Sequence, residues 1–164
     1  MFNNRVIAFA IIILSFGVFT GCQYDKLMKS DDFDAKYVKA KEYYGEGDYA
    51  KALPLLDQLL TVKVGTPDEK EIRYYMAQCY YGQGDYFSSA SLFKQVFNIF
   101  PFSAEAEESL FMSAKSMYDA SPCYPLDQTY SYKAIEAFQY FIDVYPKSAL
   151  VTDANKYMDE LRDK

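Results

Sequence analysis

Six rings and three polar side chains recur in this chain at a common spacing. Tyr37, Tyr74 and Phe111 lie 37 residues apart, and Tyr44, Tyr81 and Tyr118 follow them at the same interval. Lys41, Gln78 and Lys115 stand four residues after the first ring of each pair. Seven residues make nearly two helical turns, so on a helix both rings and the polar group between them share one face. The chemistry of such a face is binding. Rings cover apolar side chains, an amide bonds a peptide backbone, and an ammonium meets a carboxylate. The alternative is that the rings only pack between neighbouring units, and the spacing alone leaves both readings open.

Catalysis is excluded mostly by composition. The 164 residues contain no histidine, which removes Ser–His and Cys–His nucleophiles and histidine–metal sites. Glu105, Glu107 and Glu108 are clustered acids, but they fall in the first turn of a predicted helix, where carboxylates complement the helix dipole. The glycines sit in turns and form no phosphate-cradling loop. Cys79 and Cys123 have neither a CxxC nor a metal-ligand spacing, and nothing in their setting demands a disulfide. A net charge of −6 argues against nucleic acid. The chain reads as a binding protein, not an enzyme, with no metal or diffusible cofactor.

The elements that carry the rings announce themselves by repetition. Tyr43-Tyr44-Gly45-Glu46-Gly47-Asp48-Tyr49 returns as Tyr80-Tyr81-Gly82-Gln83-Gly84-Asp85-Tyr86. Paired glycines followed by Asp suit a turn that ends one helix and caps the next. Behind each turn a small residue is followed by large apolar ones on one helical face: Ala52, Leu56, Leu59; Ser89, Phe93, Val96; Ala134, Phe138, Phe141. Pro101 and Pro146 end second helices. The pattern predicts helices near 33–45, 48–62, 68–82, 85–99 and 103–119, one beginning near Gln128, and a last one over 148–163. With half of its residues hydrophobic (51%), the chain has ample material for a core. Ala114 and Ala134 are 20 residues apart where Ala40 and Ala52 are 12 apart, so the third unit carries an eight-residue insertion around Pro122 and Pro125.

The N-terminus is a different material. Asn3, Asn4 and Arg5 precede an apolar run from Val6 to Val18, too short for a spanning helix and right for a secretory leader. Residues 23–32 are polar and short, and read as a tether to the first helix.

Two resemblances follow from these residues. The small residue, aromatic and proline offsets resemble the tetratricopeptide repeat (TPR), without its usual Trp. This implies an all-α, TPR-like helix–turn–helix solenoid of about three and a half repeats, with units near 33–67, 68–101 and 102–147 and the final helix 148–163. First helices then line the concave face. Phe19-Thr20-Gly21-Cys22 resembles the bacterial lipobox, which implies cleavage after residue 21, covalent lipid on Cys22 and a lipidated segment 22–32. Gln23, in place of Asp, points to the outer membrane by the same resemblance.

Together, lipobox, unit lengths, the long loop in the third unit, and Ala134-x2-Ala137-Phe138-x2-Phe141-x3-Tyr145-Pro146-x-Ser148 resemble the BamD family. These are TPR lipoproteins of the outer-membrane β-barrel assembly machinery. The resemblance implies an outer-membrane, periplasm-facing protein that binds unfolded barrel precursors. It also implies a scaffold for a BamA-like barrel protein and other assembly lipoproteins. Two other readings are kept: a TPR scaffold lipoprotein of a different envelope complex, and a glycan-binding lipoprotein of the SusD kind.

Overall fold

The computed structural model describes the backbone of residues 18–121 and 129–163, and side chains from residue 23 onward. The leader up to residue 17, the insertion 122–128 and Cys123 lie outside the described residues, as does the Cys22 side chain. Among the described residues there are eight helices and no strand. They are α1 (Val18–Lys29), α2 (Phe33–Gly45), α3 (Tyr49–Lys63), α4 (Glu69–Gly82), α5 (Tyr86–Ile99), α6 (Ala106–Ala120), α7 (Thr129–Val144) and α8 (Val151–Arg162). The all-helical, TPR-like repeat arrangement is the one the sequence predicts. α2/α3, α4/α5 and α6/α7 are the three helix pairs, and α8 follows as a single helix.

The echoed heptapeptide builds the same turn twice. Asp48 N–H donates to the Tyr43 carbonyl at 2.8 Å and Gly47 N–H to Tyr44 at 3.0 Å. This Schellman pairing needs a left-handed residue after the helix end, and Gly47 supplies it with φ +75°. Asp85 and Gly84 repeat both bonds onto Tyr80 and Tyr81, with Gly84 at φ +78°. The Asp that closes one helix opens the next: Asp48 accepts from Lys51 N–H at 3.3 Å and Asp85 from Ser88 N–H at 3.1 Å. Units one and two join differently, through Gly65 at φ +79°, whose N–H donates to the Glu69 carboxylate at 2.7 Å.

Packing follows the small residues. Ala40, Ala52, Ala77, Ala114 and Ala134 are fully buried and let helices approach closely. Between α5 and α6 serines do the same work, with Ser89 and Ser116 hydroxyls 3.0 Å apart and Ser113 donating to the Ala90 carbonyl at 2.9 Å. Leu55, Leu56, Leu59, Ile72 and Met76 form one apolar cluster in the first two units. Phe97, Leu110, Phe111, Phe138, Phe141 and Met158 form another toward the C-terminus.

The N-terminal segment departs from the expected tether. Residues 18–29 are helical, and α1 is docked on unit one. The Tyr24 ring meets Tyr43 edge-on at 5.8 Å and its hydroxyl donates to the Lys51 carbonyl at 3.2 Å. Leu27 and Met28 add to the first cluster, and the buried Lys36 ammonium ties the Met28 carbonyl (3.3 Å) to Gln58 (2.6 Å). Read as polar residues, the segment looks free; the apolar half of α1 and Tyr24 reach partners far along the chain.

Candidate peptide-binding face

The first helices α2, α4, α6 and α8 are bonded one to the next by a repeated device. A tyrosine phenol on one first helix meets a carboxylate on the following one. Tyr81 donates to Asp119 at 2.6 Å, and Tyr118 donates to Glu160. Tyr37 pairs with Glu71 and Tyr74 with Glu108 in the same sense. Burial, followed by the acidic partner, pushes the Tyr37, Tyr74 and Tyr81 phenols well above their ordinary range. Tyr118 is pushed up to about 12, first by its bond to Glu160 and then by burial. These phenols therefore remain neutral donors. In return, the bond from Tyr37 helps to hold the Glu71 carboxyl below its usual range.

Each predicted residue has a definite place on this layer. Tyr37, Tyr44, Tyr74, Tyr81 and Tyr118 are half-buried, and several of these rings pack on others, within a unit or across to the next. Tyr44 meets Tyr75 edge-on at 5.1 Å, Tyr74 meets Phe93 at 5.9 Å, and Tyr118 lies 4.7 Å from Tyr157. Packing and exposure thus coexist in the same rings. Gln78 donates to the Tyr74 hydroxyl at 3.0 Å, which leaves its carbonyl oxygen to accept from a ligand N–H.

Three expectations change. Phe111 is a core ring, only 8% exposed, edge-on to Phe138 and Phe141 at 5.8 and 5.4 Å and covered by Tyr157 of α8. Its counterparts Tyr37 and Tyr74 are only half-buried, although a first helix follows each of them as well. The two lysines are not free cations. Lys41 pairs with Glu71 at 2.9 Å over the Tyr37 and Tyr75 rings. Lys115 pairs with Asp119, lies 3.5 Å from the Tyr81 hydroxyl, and sits over Tyr118 and Tyr157. A ligand carboxylate would have to compete with these internal acids.

Among the described residues no group of His, Cys, Asp or Glu is placed to hold a metal ion. Cys79 is a free thiol, fully buried, and burial pushes it up to about 12, so it is held as an unreactive thiol.

Comparison with protein-family models matches residues 29–164 to the model described as YfiO, outer membrane lipoprotein. That match spans all the helix pairs and α8. The chain belongs to the YfiO family of outer membrane lipoproteins. This is the BamD family domain. No curated protein matches the chain at a significant level. Among the described residues no helix is long and apolar enough to cross a membrane. The matched region begins beyond Cys22, so the lipid site rests on the lipobox-like residues alone.

The acidic half of the face escaped sequence reasoning. Glu71, Glu108, Asp119 and Glu160 take the tyrosine hydroxyls, and Glu108 had a simpler explanation as a first-turn acid. A signal was present: Tyr37 to Glu71 and Tyr74 to Glu108 are the same interval.

Proposed function

We propose that this YfiO-family lipoprotein is a β-barrel assembly factor of the BamD kind. Lipid on Cys22 anchors it to the outer membrane facing the periplasm, α1 holds the anchor close to the domain, and the first-helix face takes extended segments of unfolded barrel precursors. A BamA-like barrel protein and other assembly lipoproteins are its partners. The observation that carries the reading is the family match over residues 29–164. The face adds a physical rationale. Half-exposed tyrosine rims give apolar contact area at low entropic cost, and the Gln78 carbonyl gives a backbone acceptor.

The test is a photo-crosslinking residue introduced at Gln78 in intact envelopes, followed by identification of the adducts. Barrel precursors crosslinked at Gln78, together with a co-purifying BamA-like protein, are the expected result. Adducts and co-purifying proteins with no barrel-assembly component would overturn it, and retention on immobilised polysaccharide would then favour a glycan-binding lipoprotein.

A further inference from the structure

The docking of α1 decides at which end of the solenoid Cys22 lies. Cleavage after residue 21 would leave Cys22 as the first residue of α1, directly before Gln23. Gln23 and Tyr24 line one cleft with Tyr43, Glu46 and Lys51, the residues around the turn of unit one. At the other end of α1, the Met28 carbonyl accepts from the ammonium of Lys36, in the first turn of α2, at 3.3 Å. With residue 24 beside 43 and residue 28 beside 36, α1 runs antiparallel to α2. Cys22 is therefore at the edge that carries the turns, and Lys29 is at the edge where units join.

Each edge continues from unit to unit. At the turn edge the Tyr49 ring lies against Gly82, and Tyr81 donates to Asp119 at 2.6 Å, so the turns 45–49 and 82–86 and the end of α6 are side by side. At the joint edge Lys70 pairs with Glu105 at 2.8 Å, and Ser148 donates to Glu107 at 2.6 Å. The 13 residues of α2 separate the two edges by about 20 Å. The hold on α1 is built into the core. Lys36 is only 3% exposed, and its ammonium, shared between the Met28 carbonyl and Gln58, complements the C-terminal end of the α1 dipole.

We propose that α1 is a strut that points the turn edge of the solenoid at the bilayer, making that edge the membrane-facing surface of the protein. The partner is the bilayer that takes the Cys22 acyl chains, and this orientation rests on the lipid anchor. Acyl chains on Cys22 enter the hydrocarbon, so its sulfur and amine lie at headgroup level. A free tether over residues 23–32 could extend about 30 Å and would leave the orientation open. A docked helix removes that slack. Phe87 and Tyr130, at the starts of α5 and α7, are 57% and 36% exposed at the turn edge, and such rings are at home among headgroups. The joint edge also exposes Val64 and Phe102, but it is on the far side from Cys22 and faces away from the bilayer.

The orientation is tested by quenching from a headgroup nitroxide. The full-length acylated protein carrying Cys123→Ser is placed in nanodiscs whose phosphatidylcholine bears a nitroxide on its headgroup. Cys79 is fully buried and Cys22 is acylated, so an added cysteine is the labelled site. A bimane on Gln83→Cys, in the exposed second turn, should be quenched several-fold more strongly than one on Phe102→Cys. Tyr24→Ala, Leu27→Asp and Met28→Asp together remove the side chains that dock α1. They should bring the two sites to similar, weaker quenching while acylation is kept. Equal quenching with α1 intact, stronger quenching at residue 102, or a difference that survives the triple variant would overturn the proposal. Mass spectrometry separates this from the anchor itself. An unacylated chain would overturn the lipid on Cys22 and the orientation together, whereas an acylated chain with equal quenching would overturn the orientation alone.

Discussion

The Tyr49 ring of unit one lies against the Cα of Gly82 in unit two, so that a Cβ built on Gly82 would fall inside the ring. The same glycine of the preceding echo, Gly45, faces open space. The repeated residue therefore has two meanings: in unit one it only ends a helix, and in unit two it receives the neighbouring unit. Gly82→Ala should destabilise the protein by about 1–3 kcal/mol through overpacking. Gly45→Ala should be neutral or stabilise by about 0.5–1 kcal/mol. Urea unfolding of both variants checks this, and equal shifts would mean that Tyr49 does not seat on Gly82.

The first-helix face makes a graded prediction for ligand binding. Gln78→Ala removes one hydrogen-bonding group and should weaken a labelled C-terminal barrel peptide by about 1 kcal/mol, roughly fivefold, with little change in melting. Lys115→Ala acts differently because Lys115 is already paired with Asp119. Its removal uncovers the Asp119 charge, so peptides with a free terminal carboxylate should bind more weakly and amidated ones should be affected less. Raising salt should shrink that difference. Anisotropy at two ionic strengths decides it. Phe111 is left out of this series, since its substitution would report core packing.

Glu69 predicts a pH dependence of stability. It is buried, accepts Gly65 N–H at 2.7 Å and pairs with Arg73 at 2.7 Å, and these two contacts hold its carboxyl below the ordinary value of 4.5. A depressed native pKa means that the folded state binds fewer protons than the unfolded one. The stabilisation is therefore complete above about pH 4.5 and is lost as pH falls through the native value. Glu71 and Glu105 are depressed in the same direction and add to the trend. Glu69→Gln should lower stability by about 1–2 kcal/mol at neutral pH and flatten the loss on acidification. Thermal melts from pH 7 to 3 are the measurement; parallel curves for wild type and variant would contradict it.

The membrane anchor and α1 can be separated by mutation. Cys22→Ala should release the protein from membranes under alkaline extraction while leaving its melting temperature unchanged, and N-terminal mass spectrometry should show lost acylation. Tyr24→Ala should leave acylation intact but undock α1, because it removes both the edge-on contact with Tyr43 and the bond to the Lys51 carbonyl. Faster amide exchange over residues 23–29 than in wild type is the expected readout, and unchanged protection would show that Leu27 and Met28 suffice.

Local chemistry made much of this protein legible from residue types alone. The echoed turns follow from short-range requirements: a left-handed glycine after the helix end, and an Asp three residues before a free amide. The small residues at Ala52, Ala77 and Ala134 mark close helix contacts for a reason that any single unit contains. What the repeat period does not encode is the identity of the neighbour. Phe111 differs from Tyr37 and Tyr74 because α8 brings Tyr157 over it. The tyrosine hydroxyls and Lys41 are spoken for by acids one first helix further on, and Lys115 by Asp119 one turn along its own helix. Residues 23–29 are docked because Tyr24 reaches a carbonyl 27 residues away. Helices and turns are decided by contacts within a few residues, and so can be read in order. Exposure, charge pairing and the docking of α1 are decided by side chains that only the stacking of units brings together.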